Sequence, residues 1–183
     1  MMLETDRLII RTFKGEDWED LYEYLSQERV VRYEPYGVFT EEECKLEAVR
    51  RSQDTAFWAV CLKENQKLIG NLYFHQQEPK ELLTWVIGYV FNPDYYGQGF
   101  ASESSRRLMQ YAFEQLGSRR IVAMCNPENN ASWRLMERLN MRREGHLRKN
   151  IFFKFDEENR PIWQDTYQYA ILSEEWRLPE RAL

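Results

Sequence analysis

The chain has 183 residues, 43% of them hydrophobic and 15% aromatic, which excludes a disordered polypeptide and suits one domain over residues 1–183. A net charge of −5 argues against a general nucleic-acid binder, and eight Gly with six Pro are too few for a low-complexity chain. Cys44, Cys61 and Cys125 are widely spaced and only His75 and His146 accompany them, so no metal site is expected.

The charged start, Met1 to Arg7, lacks the apolar stretch of a signal peptide, and nothing approaches the ~18 apolar residues of a membrane span. The expectation is a cytoplasmic protein with no membrane partner and reduced, core-type thiols. Leu8 to Arg11 reads as a first strand. Asp17 to Ser26 reads as a helix, with Trp18, Leu21, Tyr22 and Leu25 on one face. Glu34-Pro35-Tyr36-Gly37 is a loop. Thr40-Glu41-Glu42-Glu43 has the capping-box form and starts a helix that runs to about Ser52.

Three strands follow as a predicted antiparallel meander: Phe57 to Leu62, Lys67 to Phe74, and Leu82 to Phe91. In the last, Trp85, Ile87 and Tyr89 share one face, and Val86 and Val90 the other. Asn92-Pro93-Asp94 breaks that strand. A helix is predicted from about Ser102 to Leu116, closed by Gly117, then a buried strand, Ile121 to Cys125. After the loop Asn126 to Asn130, a helix capped by Asn129 or Asn130 reaches Leu139. His146 to Phe155 and Trp163 to Leu172 form a final hairpin, available for pairing across a homodimer. The fold class is α/β of the α+β type, a mostly antiparallel sheet with one strand-helix-strand crossover near residues 86–125.

The segment from Val90 to Glu103 carries the chemistry. A strand runs into Gly97 and Gly99, and the glycines open a helix. Glycine lets backbone approach a ligand closely, and the first helical turn offers unpaired amides and partial positive charge. This makes an anion seat fit for a phosphate or pyrophosphate. A dinucleotide fingerprint would need Gly at Ser102, and a P-loop would need a Lys that is absent. A plain strand-to-helix turn is the bland alternative.

Tyr96-Gly97-Gln98-Gly99-Phe100-Ala101 resembles the pyrophosphate loop of the GNAT superfamily of N-acetyltransferases, Arg/Gln-x-x-Gly-x-Gly/Ala, with Tyr96 in place of the usual Arg or Gln. Asn126 to Ser132, followed by Arg134 to Met141, resembles that family's Asn-x-x-Ser helix. Thr5 to Arg11, Ile87-Gly88-Tyr89 and Phe100 to Glu103 look like its ribosomal-protein N-terminal acetyltransferase-like branch. The resemblance implies splayed central strands with flanking helices, and transfer of an acetyl group from acetyl-CoA to an amine-bearing small molecule or a protein N-terminus. It implies that Gly97, Gln98, Gly99, Phe100, Ala101 and Ser102 hold the pyrophosphate. Asn129 and Ser132 would contact the pantetheine arm, with Asn126 polarising the same region. The Phe91 amide would hold the thioester carbonyl, a contribution of about 3 kcal/mol per donor in comparable reactions.

The family's usual tyrosine acid is replaced by Met136, which leaves Ser132 or water to meet the leaving thiolate. The usual carboxylate before Ile-Gly-Tyr is Val86, so Glu34 and His75 are the candidate bases. Glu103 reads as structural, complementing the helix dipole. Tyr33, Tyr36, Phe39, Trp85 and Tyr89 are candidates to line the acceptor cleft, and Arg142, Arg143, Arg148 and Lys149 to meet the adenosine 3′-phosphate. Two rival classes are a non-catalytic acyl-CoA sensor, which the absent Tyr and carboxylate would suit, and an interaction domain whose glycine turn is only steric.

Overall fold

The structure, a computed structural model, describes residues 2–176. In chain order it runs β1 (Met2–Glu4), β2 (Leu8–Thr12), α1 (Trp18–Leu25), α2 (Glu28–Val31), α3 (Glu41–Ser52), β3 (Phe57–Leu62), β4 (Leu68–Gln76), β5 (Thr84–Phe91), α4 (Phe100–Glu114), β6 (Arg120–Cys125), α5 (Asn130–Arg138), β7 (Arg142–Phe155) and β8 (Pro161–Leu172).

Polar side chains fix where the helices start. Asp17 accepts two hydrogen bonds from the Arg11 guanidinium, at 2.8 and 2.7 Å, and one from the Lys14 amide, which sets the approach to α1. At α3 the predicted capping box is present: the Glu43 amide donates to Thr40 Oγ1 and the Thr40 amide to Glu43 Oε2. Asn129 caps α5 by accepting from the Ser132 amide at 3.2 Å. Gly99, at φ +83°, begins α4 at Phe100, two residues before the position expected from the apolar pattern.

The strands form one sheet in the order β1-β2-β3-β4-β5-β6-β8-β7. Every pairing is antiparallel except β5 with β6, as the strand-helix-strand crossover requires. Two cores cover the two faces. One packs α4 and α5 against Ile69, Ile87, Phe91, Ile121 and their neighbours. The other packs α1 and α3 against Ala59, Cys61 and Leu68, with Val90 at its margin. Trp85, Ile87 and Tyr89 therefore face one core and Val90 the other, as the alternation predicts.

Three differences have physical causes. β1 and α2 are three and four residues long, too short for a periodic signal. Leu83, at φ +49°, ends a tight turn over Lys80–Leu82 and delays β5 to Thr84. β7 begins at Arg142 rather than His146, because it is a largely exposed edge strand whose charged start carries no apolar alternation.

Candidate active site

β5 and β6 pair only over Thr84–Val86 and Arg120–Val122. Beyond that seam both strands continue, β5 to Phe91 and β6 to Cys125, and they diverge. Hydrogen bonds toward β4 alternate along β5, and the terminal ones, Gln77 N–H to Thr84 O and Asn92 N–H to Ile69 O, fix the parity. The backbone groups of Tyr89 and Phe91, and the Ile87 carbonyl, therefore point away from β4, into the gap left by β6. The gap widens into a cavity of about 890 Å³, lined by Ile87 to Phe91 on one side and by Met124, Cys125 and Asn126 on the other. The splayed central strands expected above are present. Phe91 is held there by its ring, which lies over Gly70: a Cβ on Gly70 would come within 2.4 Å of it.

The glycine turn closes one end of the cavity. The Asn92 side chain accepts from the Asp94 amide at 3.1 Å and starts the turn. Gly97 and Gly99 sit at φ +75° and +83°, a conformation that costs side-chain-bearing residues energy. The first hydrogen bond of α4 runs from the Glu103 amide to Gly99 O. Among the described residues, no acceptor meets the amides of Gly97, Gln98, Gly99, Phe100, Ala101 or Ser102. Gly97, Gly99, Phe100, Ala101 and Ser102 line the cavity; Gln98 does not.

The turn is tied to the first hairpin. Arg7 donates to Glu103 from Nε and Nη2, at 2.8 and 2.6 Å, and Nη2 also reaches Gln98 O at 3.0 Å. Its guanidinium stacks on Phe100, 4.3 Å from the ring centre. Thr5 donates to the other Glu103 oxygen. Glu103 is thus structural, as its place in the first helical turn suggested. Besides Arg7, Arg138 stands beside the turn: it lines the cavity and reaches Ser102 Oγ at 3.4 Å. The sequence reading missed it, because its position depends on α5 docking beside α4. Arg142, Arg143, Arg148 and Lys149 lie instead on β7, where Arg142 pairs with Glu144 and Glu175, and Arg148 with Asp165.

Farther along, Asn126, Asn129, Ser132 and Glu34 all line the cavity. Burial pushes the Glu34 carboxyl up to about 7, while the Tyr36 hydroxyl and Arg51 hold it back. Asn126 donates to Gln164 Oε1 at 3.0 Å and accepts from the Glu128 amide. Ser132 Oγ stands 3.0 Å from the Tyr89 hydroxyl, which also reaches Ser132 O. Burial pushes the neighbouring Cys125 thiol up to about 11. Met136 is buried in the wall.

His75 is placed elsewhere. It sits opposite Val86, near the paired end of β5, with its ring 5.0 Å from Tyr73, and it does not line the cavity. Strand alternation places its side chain with Tyr73 on the face that α1 and α3 cover, beside the seam where β5 still pairs with β6. Of the candidate cleft aromatics, Tyr33 and Tyr89 line the cavity; Trp85 stacks on Phe74, and Tyr36 and Phe39 pack toward the second core.

The family of acetyltransferase (GNAT) domains matches residues 7–142. The uncharacterized N-acetyltransferase YnaD of Bacillus subtilis (strain 168) is 42% identical over 177 residues, covering 96% of this chain and 99% of that protein. A crystal structure of a GNAT-family acetyltransferase from Bacillus anthracis superposes with a TM-score of 0.86 at 39% identity, over 96% of this chain and all of that one. The ribosomal-protein-S5-alanine acetyltransferase of Vibrio fischeri shares the fold, with a TM-score of 0.75 at 21% identity over 97% of this chain and 100% of that one.

Proposed function

The chain belongs to the GNAT family of acetyltransferases, and from that membership we propose that it moves the acetyl group of acetyl-CoA to a primary amine, of a peptide N-terminus or a small molecule, by direct attack in a ternary complex. The divergence of β5 from β6 carries this reading. It leaves a row of free backbone groups leading from the unpaired amides of the glycine turn to the cavity that Glu34 and Ser132 line.

Each residue then has a task. The amides of Gly97 to Ser102 hold the diphosphate, with Arg138 beside them. The free edge of β5 holds the pantetheine arm, next to Asn129 and Asn126. The Phe91 amide stabilises the oxyanion as it forms. Glu34 takes a proton from the ammonium. Its carboxyl, at about 7, is well matched to an α-amine near 8 and poorly matched to a lysine near 10.4. The carbon–nitrogen bond forms, the carbon–sulfur bond breaks, and the electron pair leaves on sulfur, where Ser132 donates a hydrogen bond. Solvent receives the proton from Glu34 and then the second nitrogen proton, lost as the amide forms, and returns one to the thiolate, so each turnover releases one proton. Cys44, Cys61 and Cys125 are free thiols, which supports a reducing cytoplasm as the setting.

Thermal melting with acetyl-CoA, alongside thiol release over a panel of amines, tests the reading. A ligand at about 100-fold its Kd should add roughly 2.7 kcal/mol. Gly99→Glu should fold yet lose that gain, since its carboxylate fills the anion seat. An unmoved melting curve would overturn the site. Stabilisation without turnover on any amine would point to a sensor instead.

A further inference from the structure

A hydroxyl pair in the cavity wall has a geometry that goes beyond binding. Tyr89 lies two residues before Phe91 on the same side of β5, and its ring crosses to the first turn of α5. Its hydroxyl donates to the carbonyl oxygen of Ser132 at 2.9 Å and stands 3.0 Å from Ser132 Oγ. A phenol has one proton. While that proton is engaged by the carbonyl, the Ser132 hydroxyl must be the donor across the 3.0 Å contact. The Tyr89 oxygen thus has two acceptors at hydrogen-bond distance on a single residue. Met136, one turn along α5, has no proton to offer.

We propose that Tyr89 is a positioning residue for Ser132: as sulfur departs with its electron pair, the Ser132 O–H turns to the sulfur and the Tyr89 O–H turns from the Ser132 carbonyl to Ser132 Oγ. This rests on the role given to Ser132 above. No proton leaves Tyr89, and the thiolate still takes its proton from solvent. The Ser132 carbonyl, inside a helix, keeps the acceptor role that α-helical bonding gives it. Donation into Ser132 Oγ makes its own O–H a stronger donor, because linked hydrogen bonds polarise one another. Burial pushes the Tyr89 hydroxyl upward, so it remains protonated at working pH. The titratable neighbours are Cys125, in contact with Ser132, and the more distant Arg138 and Glu34.

The first measurement needs no acceptor. The thiol of bound CoA is titrated by its thiolate ultraviolet absorbance, after subtraction of the ligand-free protein, in wild type, Y89F, S132A and the double variant. Both single variants should raise the bound thiol's pKa by about 0.5–1 unit. Adding Y89F to S132A should change it by less than about 0.2 units. With hydroxylamine as surrogate amine, Y89F should lower kcat about 5- to 10-fold while the KM for acetyl-CoA stays within about twofold. Fluorotyrosine at position 89 keeps the shape with a stronger donor and should move the thiol the other way, whether or not Y89F folds. Equal Y89F effects in both backgrounds would make Tyr89 merely structural and overturn the proposal, as would a shift in S132A with none in Y89F. An unshifted thiol in S132A would remove the role of Ser132 itself, and this one with it.

Discussion

Glu34 combines local chain geometry with a displaced titration. The loop after α2 sets it in the cavity wall, and poor solvation there favours the protonated form. Two consequences separate its catalytic and structural effects. As the proposed base it would work ionised, so kcat/KM should rise with pH through about 7, and Glu34→Gln should lower it about 100-fold and remove that limb. For stability the sign is opposite. The folded chain holds a proton that the unfolded chain releases near 4.5, so stability should fall as pH rises from about 4.5 to 7. Glu34→Gln should then be the more stable protein above pH 7, by about 3 kcal/mol, and no more stable than wild type below pH 4. Thermal melting at pH 4 and pH 8 checks this. A variant less stable at pH 8 would show that the carboxylate is well accommodated.

Between elements, the link that matters joins the first hairpin to α4. Arg7 holds both Glu103 and Gln98 O and lies over Phe100, which makes the glycine turn rigid without occupying its amides. Arg7→Ala should raise the KM for acetyl-CoA about 10-fold and leave kcat within about twofold. Steady-state kinetics decides, and a fall in kcat alone would place Arg7 elsewhere in the mechanism. The glycine turn, the Thr40 and Asn129 caps and the three-strand meander were legible in the sequence because each is set by a few adjacent residues. Arg138 and the Tyr89–Ser132 pair were not, since the docking of α5 against α4 and β5 creates them. His75 misled for a related reason. Its strand could be read, but the end of that strand that borders the cavity could not.

At the scale of the whole molecule, the sheet acts as two parts joined by a short parallel seam. β1 to β5 form an antiparallel block, and β6, β8 and β7 form another. The helices α4 and α5 cover one face of both, so the core can stay continuous while the strands separate. Fold and site follow from the same interruption. No helix among the described residues is long and apolar enough to cross a membrane.

That interruption should leave a mark on the ligand-free protein in deuterated water. Along a single strand, the amides of Gly88 and Val90 are tied to β4, while those of Tyr89 and Phe91 have lost their neighbour. Labelling followed by nuclear magnetic resonance should show slow and fast sites alternating residue by residue. Saturating CoA should erase the stripe as the fast sites slow.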